Sequence, residues 1–171
     1  MIRSGTTNDI DALLALQRIV AGESATLARA PDEISREHIE AVVAKSTTTG
    51  IFLVATEGAA VIGAVYCYAL GPRQFAHVLS ELTIAVHPAH QGRGVGRRLF
   101  EALLEQVQTG RPDVARVELL VRADNVGAQR LYTSVGFREE GRLRGRVRLP
   151  DGTMLDDVMM AWHRTPTTAT P

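Results

Sequence analysis

Three glycines alternate with other residues in the segment Gln91-Gly92-Arg93-Gly94-Val95-Gly96-Arg97. Glycine lets backbone N–H groups approach a ligand closely, because it has no Cβ atom. A helix that begins directly after such a loop adds unpaired N–H groups and a partial positive charge. With Arg93 and Arg97 beside it, the segment therefore predicts a site for a phosphate or pyrophosphate group. A plain strand-to-helix turn is the alternative that these residues leave open.

Two familiar phosphate-binding loops do not fit this segment. A Walker A loop requires a Gly-Lys pair, and the sequence contains none. A dinucleotide-binding fingerprint that begins at Gly92 requires its third glycine at position 97, which is Arg97. The glycines alone therefore leave the identity of the phosphate ligand open.

A second motif lies downstream and narrows the choice of phosphate ligand. The loop, with Val86-x-Pro88 before it, matches the pattern R/Q-x-x-G-x-G/A, and 125–137 matches N-x-x-A-x-x-L-Y-x-x-x-G-F. In this order the two motifs resemble those of the GCN5-related N-acetyltransferases, the GNAT superfamily. The resemblance covers about residues 50–162. The end of the chain is similar to the YhhY-like branch and, less closely, to phosphinothricin acetyltransferases.

The resemblance implies an acetyl-CoA-dependent N-acetyltransferase that uses acetyl-CoA as co-substrate and needs no metal. The acetyl group would pass by direct attack in a ternary complex to a primary amine of a small molecule, with an amino acid or its analogue favoured. Two alternatives stay open: acetylation of a protein N-terminus or lysine, and a non-catalytic acyl-CoA-binding sensor.

The resemblance also assigns residues to the cofactor and to the chemistry. Tyr132 matches the family tyrosine near the CoA sulfur, where a protonated phenol donates to the departing thiolate. The pantetheine arm would pair with the backbone between two diverging strands, and the pyrophosphate would lie on the glycine-rich loop. The implied cofactor-binding residues are Ile84, Val86, Gln91, Gly92, Arg93, Gly94, Val95, Gly96, Arg97, Asn125, Ala128 and Tyr132.

Glu81 is the candidate general base, because it points away from the apolar face of its predicted strand. A carboxylate in a surface ion pair is the alternative interpretation. His77, His87 or a water molecule are the other candidate bases. His87 and His90 lie three apart but without a third ligand, so no metal site is predicted.

Four arginines alternate along a predicted strand, at Arg142, Arg144, Arg146 and Arg148. The alternation predicts that all four share one face, with Leu143, Val147 and Leu149 on the other. A solvated edge strand is one interpretation. Recognition of an acceptor carboxylate, or a contact in a homodimer, are the others. No aromatic residues interleave with the arginines, which argues against nucleic-acid binding.

The elements that must position these residues form an α+β pattern. Apolar periodicity predicts helices over 8–20, from Ser35, from the glycine-rich loop to Gly110, and over 123–135. Strands are predicted over 51–55, 61–69, 78–86, 114–121, 137–149 and 153–162. We expect a mixed, mostly antiparallel sheet of about seven strands flanked by about four helices, with the splayed centre that the resemblance implies.

Length and composition set the remaining expectations. The 171 residues predict one domain over 1–164 and a disordered tail over 165–171. The net charge is zero, which excludes a global basic field for nucleic acid or membrane, but residues 1–90 carry −3 and residues 91–171 carry +3. Cys67 cannot form an intrachain disulfide, and no signal peptide is visible, so a cytoplasmic location is expected. The acceptor pocket is expected at the N-terminal helices, the loop 70–77 and the terminal hairpin.

Overall fold

A computed structural model describes residues 1–24 and 27–164 of the chain. Its strands are β1 (Ile2–Ser4), β2 (Gly50–Glu57), β3 (Ala60–Ala69), β4 (Val78–Val86), β5 (Arg116–Arg122), β6 (Arg138–Arg148) and β7 (Met154–His163). Its α-helices are α1 (Ile10–Ser24), α2 (Arg36–Thr49), α3 (Val95–Gly110) and α4 (Val126–Ser134). The sequence missed only β1, which is three residues long and has no alternating pattern to reveal it.

The seven strands form one sheet in the order β1-β2-β3-β4-β5-β7-β6. Neighbouring strands run antiparallel, except for β4 and β5, which are parallel. The parallel pair has only two registered partners, Val78 with Arg116 and Leu79 with Val117. Beyond these residues the two strands diverge, which confirms the predicted α+β fold with a splayed centre.

Two apolar cores hold the helices against opposite faces of the sheet. One core packs Leu99, Phe100 and Leu103 of α3 against strands from both halves of the sheet. The other packs Leu13 of α1 and Val43 of α2 against β2, β3 and β4. Because apolar burial is the main favourable term in folding, these cores fix the two halves of the sheet on either side of the gap.

The N-terminal helical region begins one residue earlier than the sequence predicts. A short 3-10 helix over Thr7–Asp9 precedes α1, and its N-cap is Thr6. The Thr6 side chain accepts from the Asn8 N–H, and the Asp9 carboxylate accepts from the Thr6 N–H, at 2.9 Å. This is a capping box, which satisfies N–H groups that a helix start leaves free. The predicted Ser35 cap of α2 is confirmed, because its side chain accepts from the His38 N–H.

Replacing Asp9 by asparagine is expected to destabilise the fold by about 1–2 kcal/mol at neutral pH. Arg3 donates two hydrogen bonds to the buried Asp9 carboxylate, at 2.7 and 2.9 Å. These bonds lower the pKa of Asp9 to about 2. A carboxylate with a lowered pKa contributes stability above its unfolded pKa, and that contribution is lost as the pH falls toward 2.

Urea unfolding of both proteins between pH 7 and pH 2 measures this contribution. The wild type and Asp9→Asn should converge in free energy of unfolding as the pH falls from about 4 to about 2. Asp11→Asn is the control, because the Asp11 side chain is 79% exposed and should matter little. A difference that persists unchanged at pH 2 would contradict the role of the ionised carboxylate.

Two further expectations concern the ends of the chain and its environment. The predicted disordered tail, 165–171, lies outside the described residues. Within 1–24 and 27–164, no helix is long and apolar enough to cross a membrane. Cys67 is fully buried, and burial raises the pKa of its thiol to about 12, so it is held as a neutral thiol.

Candidate active site

The divergence of β4 and β5 opens a cleft of about 860 Å³. Glu81 and Ile84 of β4 line one side of it, and Val121 of β5 lines the other. Asn125 and Tyr132 from the α4 region also line it. The structure therefore brings the two predicted catalytic residues, Glu81 and Tyr132, into one cleft with two of the predicted cofactor-binding residues.

A β-bulge places Glu81 at the edge of this cleft. Tyr66 pairs with Thr83 and Tyr68 pairs with Ser80, so Glu81 and Leu82 together oppose one residue of β3. Glu81 has a φ of +53°, the only positive value among the described residues other than glycine. Residues other than glycine rarely adopt this backbone conformation, because it is strained. Such strain occurs mostly where the backbone must orient a functional group.

The bulge corrects one feature of the predicted strand. Regular alternation along the predicted strand would place Val78 on one face with Leu82, Ile84 and Val86, but Leu79 joins these residues in the α3 core instead. The extra residue shifts the alternation by one position, because side chains alternate along a strand. Glu81 still points away from that core, as predicted.

Tyr132 is buried at the floor of the cleft, with 8% of its surface exposed. Its ring packs at 5.1 Å from the Phe100 ring and 6.3 Å from the Phe137 ring, measured between centroids. Burial raises the pKa of the phenol to about 12. The phenol therefore keeps its proton at neutral pH and can only act as a donor or a neutral acceptor.

The glycine-rich loop joins the end of β4 to the start of α3. Gly92 and Gly94 have φ values of +71° and +74°, and Gly94 is the N-cap of α3. The Gln91 side chain donates to the Val86 carbonyl at 3.1 Å, which ties the loop to the strand. The first-turn N–H groups of α3 have no partner within the helix. Residues 91–97 do not line the cleft itself, but Gly96 of this turn lies beside Ile84, which does.

The two arginine side chains beside this loop differ in their contacts. Arg97 donates to the Ser134 hydroxyl at 2.9 Å and pairs with Glu101 at 3.4 Å. The Arg93 side chain is exposed and makes no hydrogen bond or ion pair to any described residue. A Cβ atom at Gly96 would lie 3.3 Å from the Leu131 side chain, so glycine at this position allows α3 to pack closely against α4.

Asn125 caps α4 by accepting from the Ala128 N–H at 3.1 Å. Because Asn125 also lines the cleft, its remaining amide donors face the space where a ligand would lie. The Ala128 N–H donates to this cap, so this backbone donor is used within the helix.

The reserve base candidates lie away from the cleft. His77 and His87 are absent from its lining residues. The Nδ1 atom of His87 accepts from the Ala89 N–H at 3.2 Å, which caps the short helix over Pro88–His90. Among the described residues, no group of three His, Cys, Asp or Glu side chains is arranged to hold a metal ion.

A second bulge breaks the predicted arginine face of β6. Gly145 has a φ of +57°, and the register between β6 and β7 shifts between Leu143 and Val147. Arg146 forms an ion pair with Asp157 at 3.2 Å. Asp157 is the residue of β7 that lies opposite Leu143 in the register. The bulge places Arg146 on the same face as Leu143, so the four arginines do not share one face. Arg146 and Arg148 both line the cleft.

Sequence reasoning missed a smaller cavity of about 380 Å³ that adjoins the cleft. Glu81 and Thr83 line both spaces, and Gln17 of α1 lines the smaller one. A glutamine within the apolar stripe of α1, four residues after Leu13, was the available signal, since such positions normally carry apolar residues. The N-terminal helices and the terminal hairpin line these cavities as predicted, but the loop 70–77 lines neither.

Residues 17–137 match the model of the acetyltransferase (GNAT) family. The chain belongs to this family. Two of its relatives are named as N-acetyltransferases, the first of them as an N-alpha-acetyltransferase. RimI of Mycobacterium tuberculosis is 48% identical over 67 residues, which cover 39% of each chain. The ribosomal protein bS18-alanine N-acetyltransferase of Haemophilus ducreyi is 36% identical over 89 residues, 50% of this chain and 60% of the relative. The matches thus span less than two thirds of these relatives.

Solved structures of this family share the fold along nearly the whole chain. A GNAT-family acetyltransferase of Streptococcus pneumoniae superposes with a TM-score of 0.88 at 24% identity, over 96% of this chain and 99% of that one. The phosphinothricin acetyltransferase of Sinorhizobium meliloti, in complex with acetyl-CoA, gives 0.81 at 21% identity, over 100% and 91%. The family and the fold that the sequence predicts are confirmed, and acetyl-CoA in a structure of this fold agrees with the predicted co-substrate.

Proposed function

We propose that this protein is an acetyl-CoA-dependent N-acetyltransferase whose acceptor is the N-terminal α-amine of a polypeptide. The observation that carries the proposal is the cleft between β4 and β5, which holds a protonated tyrosine and a carboxylate. Strand β4 leads from this cleft into the glycine-rich loop and α3. The relatives named N-alpha-acetyltransferase RimI and ribosomal protein bS18-alanine N-acetyltransferase support the choice of acceptor. The small-molecule acceptor that the sequence favoured becomes the second candidate, and the acyl-CoA sensor the third.

The chain has the parts that acetyl-CoA needs. The edge of β4 that faces β5 is free of strand pairing beyond Leu79, so Ile84 and Val86 can pair with the amide groups of the pantetheine arm. The donors at the start of α3 fit the pyrophosphate, and Arg93 is free to approach the nucleotide phosphates. Acetyl-CoA supplies the reactive thioester when it is bound there.

The acceptor must offer an uncharged amine, and this condition favours an α-amine. A free peptide α-amine has a pKa of about 8, so roughly a tenth of it is unprotonated at pH 7. A lysine amine, with a pKa of about 10.4, is almost entirely protonated. The cleft also extends along β5 and β7, where Leu120 and Met159 line it, toward Arg146 of β6. This length suits several residues of an extended peptide better than a single amino acid.

The residues of the cleft divide the chemistry between them. The amine nitrogen attacks the thioester carbonyl carbon, the C–S bond breaks, and an amide bond forms. Glu81 takes the proton that the amine loses, directly or through water, and Tyr132 gives a proton to the departing CoA thiolate. Glu81 lies on β4 and Tyr132 lies on α4, and both line the cleft, so one proton can leave and another can arrive at different groups.

Replacing Glu81 by glutamine is expected to lower kcat by about a hundredfold and to change the pH–rate profile, because general-base catalysis contributes a factor of this size. Steady-state release of CoA over a range of pH measures both effects. The matched control is Glu118→Gln, since Glu118 also lines the cleft but is held by Arg116 at 2.7 Å. Equal losses in the two variants, with unaltered pH profiles, would remove Glu81 from the base role.

A thiol assay of CoA release with three acceptor classes tests the proposed function. The acceptors are a peptide with a free N-terminus, the same peptide with a blocked N-terminus and an internal lysine, and a set of free amino acids. We expect release with the first peptide only. Release of CoA with free amino acids alone would support the small-molecule acceptor. Binding of acetyl-CoA without release of CoA would support the acyl-CoA sensor. The predicted homodimer and cytoplasmic location stay predictions.

A further inference from the structure

The smaller cavity beside Glu81 has a polar floor inside an otherwise apolar wall. Gln17 and Tyr66 form the floor, and both are nearly fully buried, at 2% and 5% exposure. Leu27, Ile34 and Val42 contribute apolar side chains to the lining. The cavity meets the cleft at Glu81 and Thr83, where the acceptor amine would be deprotonated. A group held in the cavity would therefore lie next to the reacting amine.

The amide of Gln17 is only half satisfied. Its Nε2 donates to the Tyr66 hydroxyl at 3.0 Å. The Oε1 atom of Gln17 makes no hydrogen bond to any described residue. Among the described residues, the fully buried side-chain polar atoms without a partner do not include Oε1, so this oxygen keeps some accessible surface in a residue that lines the cavity. A ligand or a water molecule in the cavity can therefore donate a hydrogen bond to it.

The charges around the cavity disfavour an acidic occupant. Arg29 carries the positive charge of the lining, while Glu33 and Glu81 carry negative charges. Burial lowers the pKa of His38 below its ordinary value, so this side chain is neutral at pH 7. The lining is therefore negative by one charge, and its buried floor is uncharged. An uncharged polar side chain suits both features.

We propose that this cavity receives the side chain of the acceptor's first residue, and that Gln17 selects an uncharged hydrogen-bonding side chain such as that of serine, threonine or asparagine. The inference rests on the proposed function and adds a preference within it. Such side chains carry both donor and acceptor atoms, so they can complete the Gln17 amide whichever of its ends is free. An apolar side chain of equal size leaves that amide end unpaired.

Peptides that differ only at their first residue test the preference in the wild-type enzyme. Threonine and valine have nearly the same shape, so their ratio of kcat/KM reports the hydroxyl alone. We expect the threonine peptide to be about tenfold better, and the asparagine peptide to exceed the aspartate peptide by at least as much. Equal rates for threonine and valine would overturn the inference and leave the proposed function standing. Failure to acetylate any of the peptides would overturn both.

The variant Gln17→Met tests whether Gln17 causes the preference for threonine over valine. This variant keeps the length of the side chain but removes both ends of the amide, and we expect its threonine-to-valine ratio to fall within about twofold of unity. Gln106→Met, an exposed glutamine of α3, is the matched control and should keep the wild-type ratio. A ratio that survives in folded Gln17→Met would overturn the assignment. If thermal unfolding shows that Gln17→Met does not fold, the threonine-to-valine ratio of Gln17→Leu is compared with that of the wild type instead.

Discussion

Replacing Tyr132 by phenylalanine is expected to lower kcat by about a hundredfold to a thousandfold, with the Kd for acetyl-CoA unchanged. The buried phenol has a pKa of about 12, so it retains the proton that the departing thiolate needs. Phenylalanine keeps the ring that packs between Phe100 and Phe137 and removes only the hydroxyl. The loss should therefore appear in the chemical step and not in the fold.

Single-turnover kinetics with acetyl-CoA and a peptide acceptor measure this effect, and calorimetric titration of acetyl-CoA measures the binding. Tyr68→Phe is a control within the same molecule, because Tyr68 lines the smaller cavity and not the cleft. An unchanged chemical rate in Tyr132→Phe would remove the tyrosine from the proton-donor role. A loss confined to acetyl-CoA binding would assign it to the cofactor site instead.

Replacing Gly94 by valine is expected to weaken acetyl-CoA binding at least tenfold, a loss of about 1.4 kcal/mol or more. Gly94 is the N-cap of α3 and has a φ of +74°, a conformation that a β-branched residue avoids. The substituted loop must change its backbone to relieve this strain. The N–H groups that face the proposed pyrophosphate would then lose their common orientation.

Gly58→Val separates this effect from general strain. Gly58 lies in the turn between β2 and β3 with a φ of +57°, and a Cβ atom there would meet no other atom within 4 Å. Both variants should lose a similar amount of stability in urea unfolding, but only Gly94→Val should lose affinity in an acetyl-CoA titration. Equal affinities in the two variants would contradict a phosphate role for the loop.

Much of the fold was predictable because its signals are local. The apolar stripe of α3, the Ser35 cap and the alternating strands β2 to β4 are written in neighbouring residues, and the structure confirms them. The glycine-rich loop was equally visible, since its spacing and its place between a strand and a helix occur within a dozen residues. The family resemblance then supplied the splayed centre of the sheet.

The two bulges were not predictable from alternation, because a bulge is defined by a partner strand that the local sequence does not show. At Glu81 the extra residue moved Leu79 into the α3 core in place of Val78. At Gly145 it moved Arg146 away from the expected arginine face and toward Asp157. Both errors lie beside the cleft, where strand pairing gives way to space for a ligand.

The smaller cavity, with its polar floor, was missed for a related reason. Its floor joins Gln17 to Tyr66, which lie 49 residues apart in the chain, so no local pattern links them. The charge asymmetry of the chain gains a structural explanation only in part. The positive half contains the loop and Arg93, but Arg97, Arg116, Arg142 and Arg146 are paired with acidic side chains. Attraction to an anionic ligand is therefore local and depends mainly on backbone donors.

The most direct test of the central claim locates the transferred acetyl group. A peptide with a free N-terminus and one internal lysine is incubated with the protein and acetyl-CoA that carries an isotopic label in its acetyl group. Fragmentation mass spectrometry then assigns the label to a nitrogen atom. We expect a single labelled acetyl group on the N-terminal α-amine, absent when the protein is omitted. Label on the lysine alone, or an unlabelled peptide beside folded protein that binds acetyl-CoA, would contradict the account.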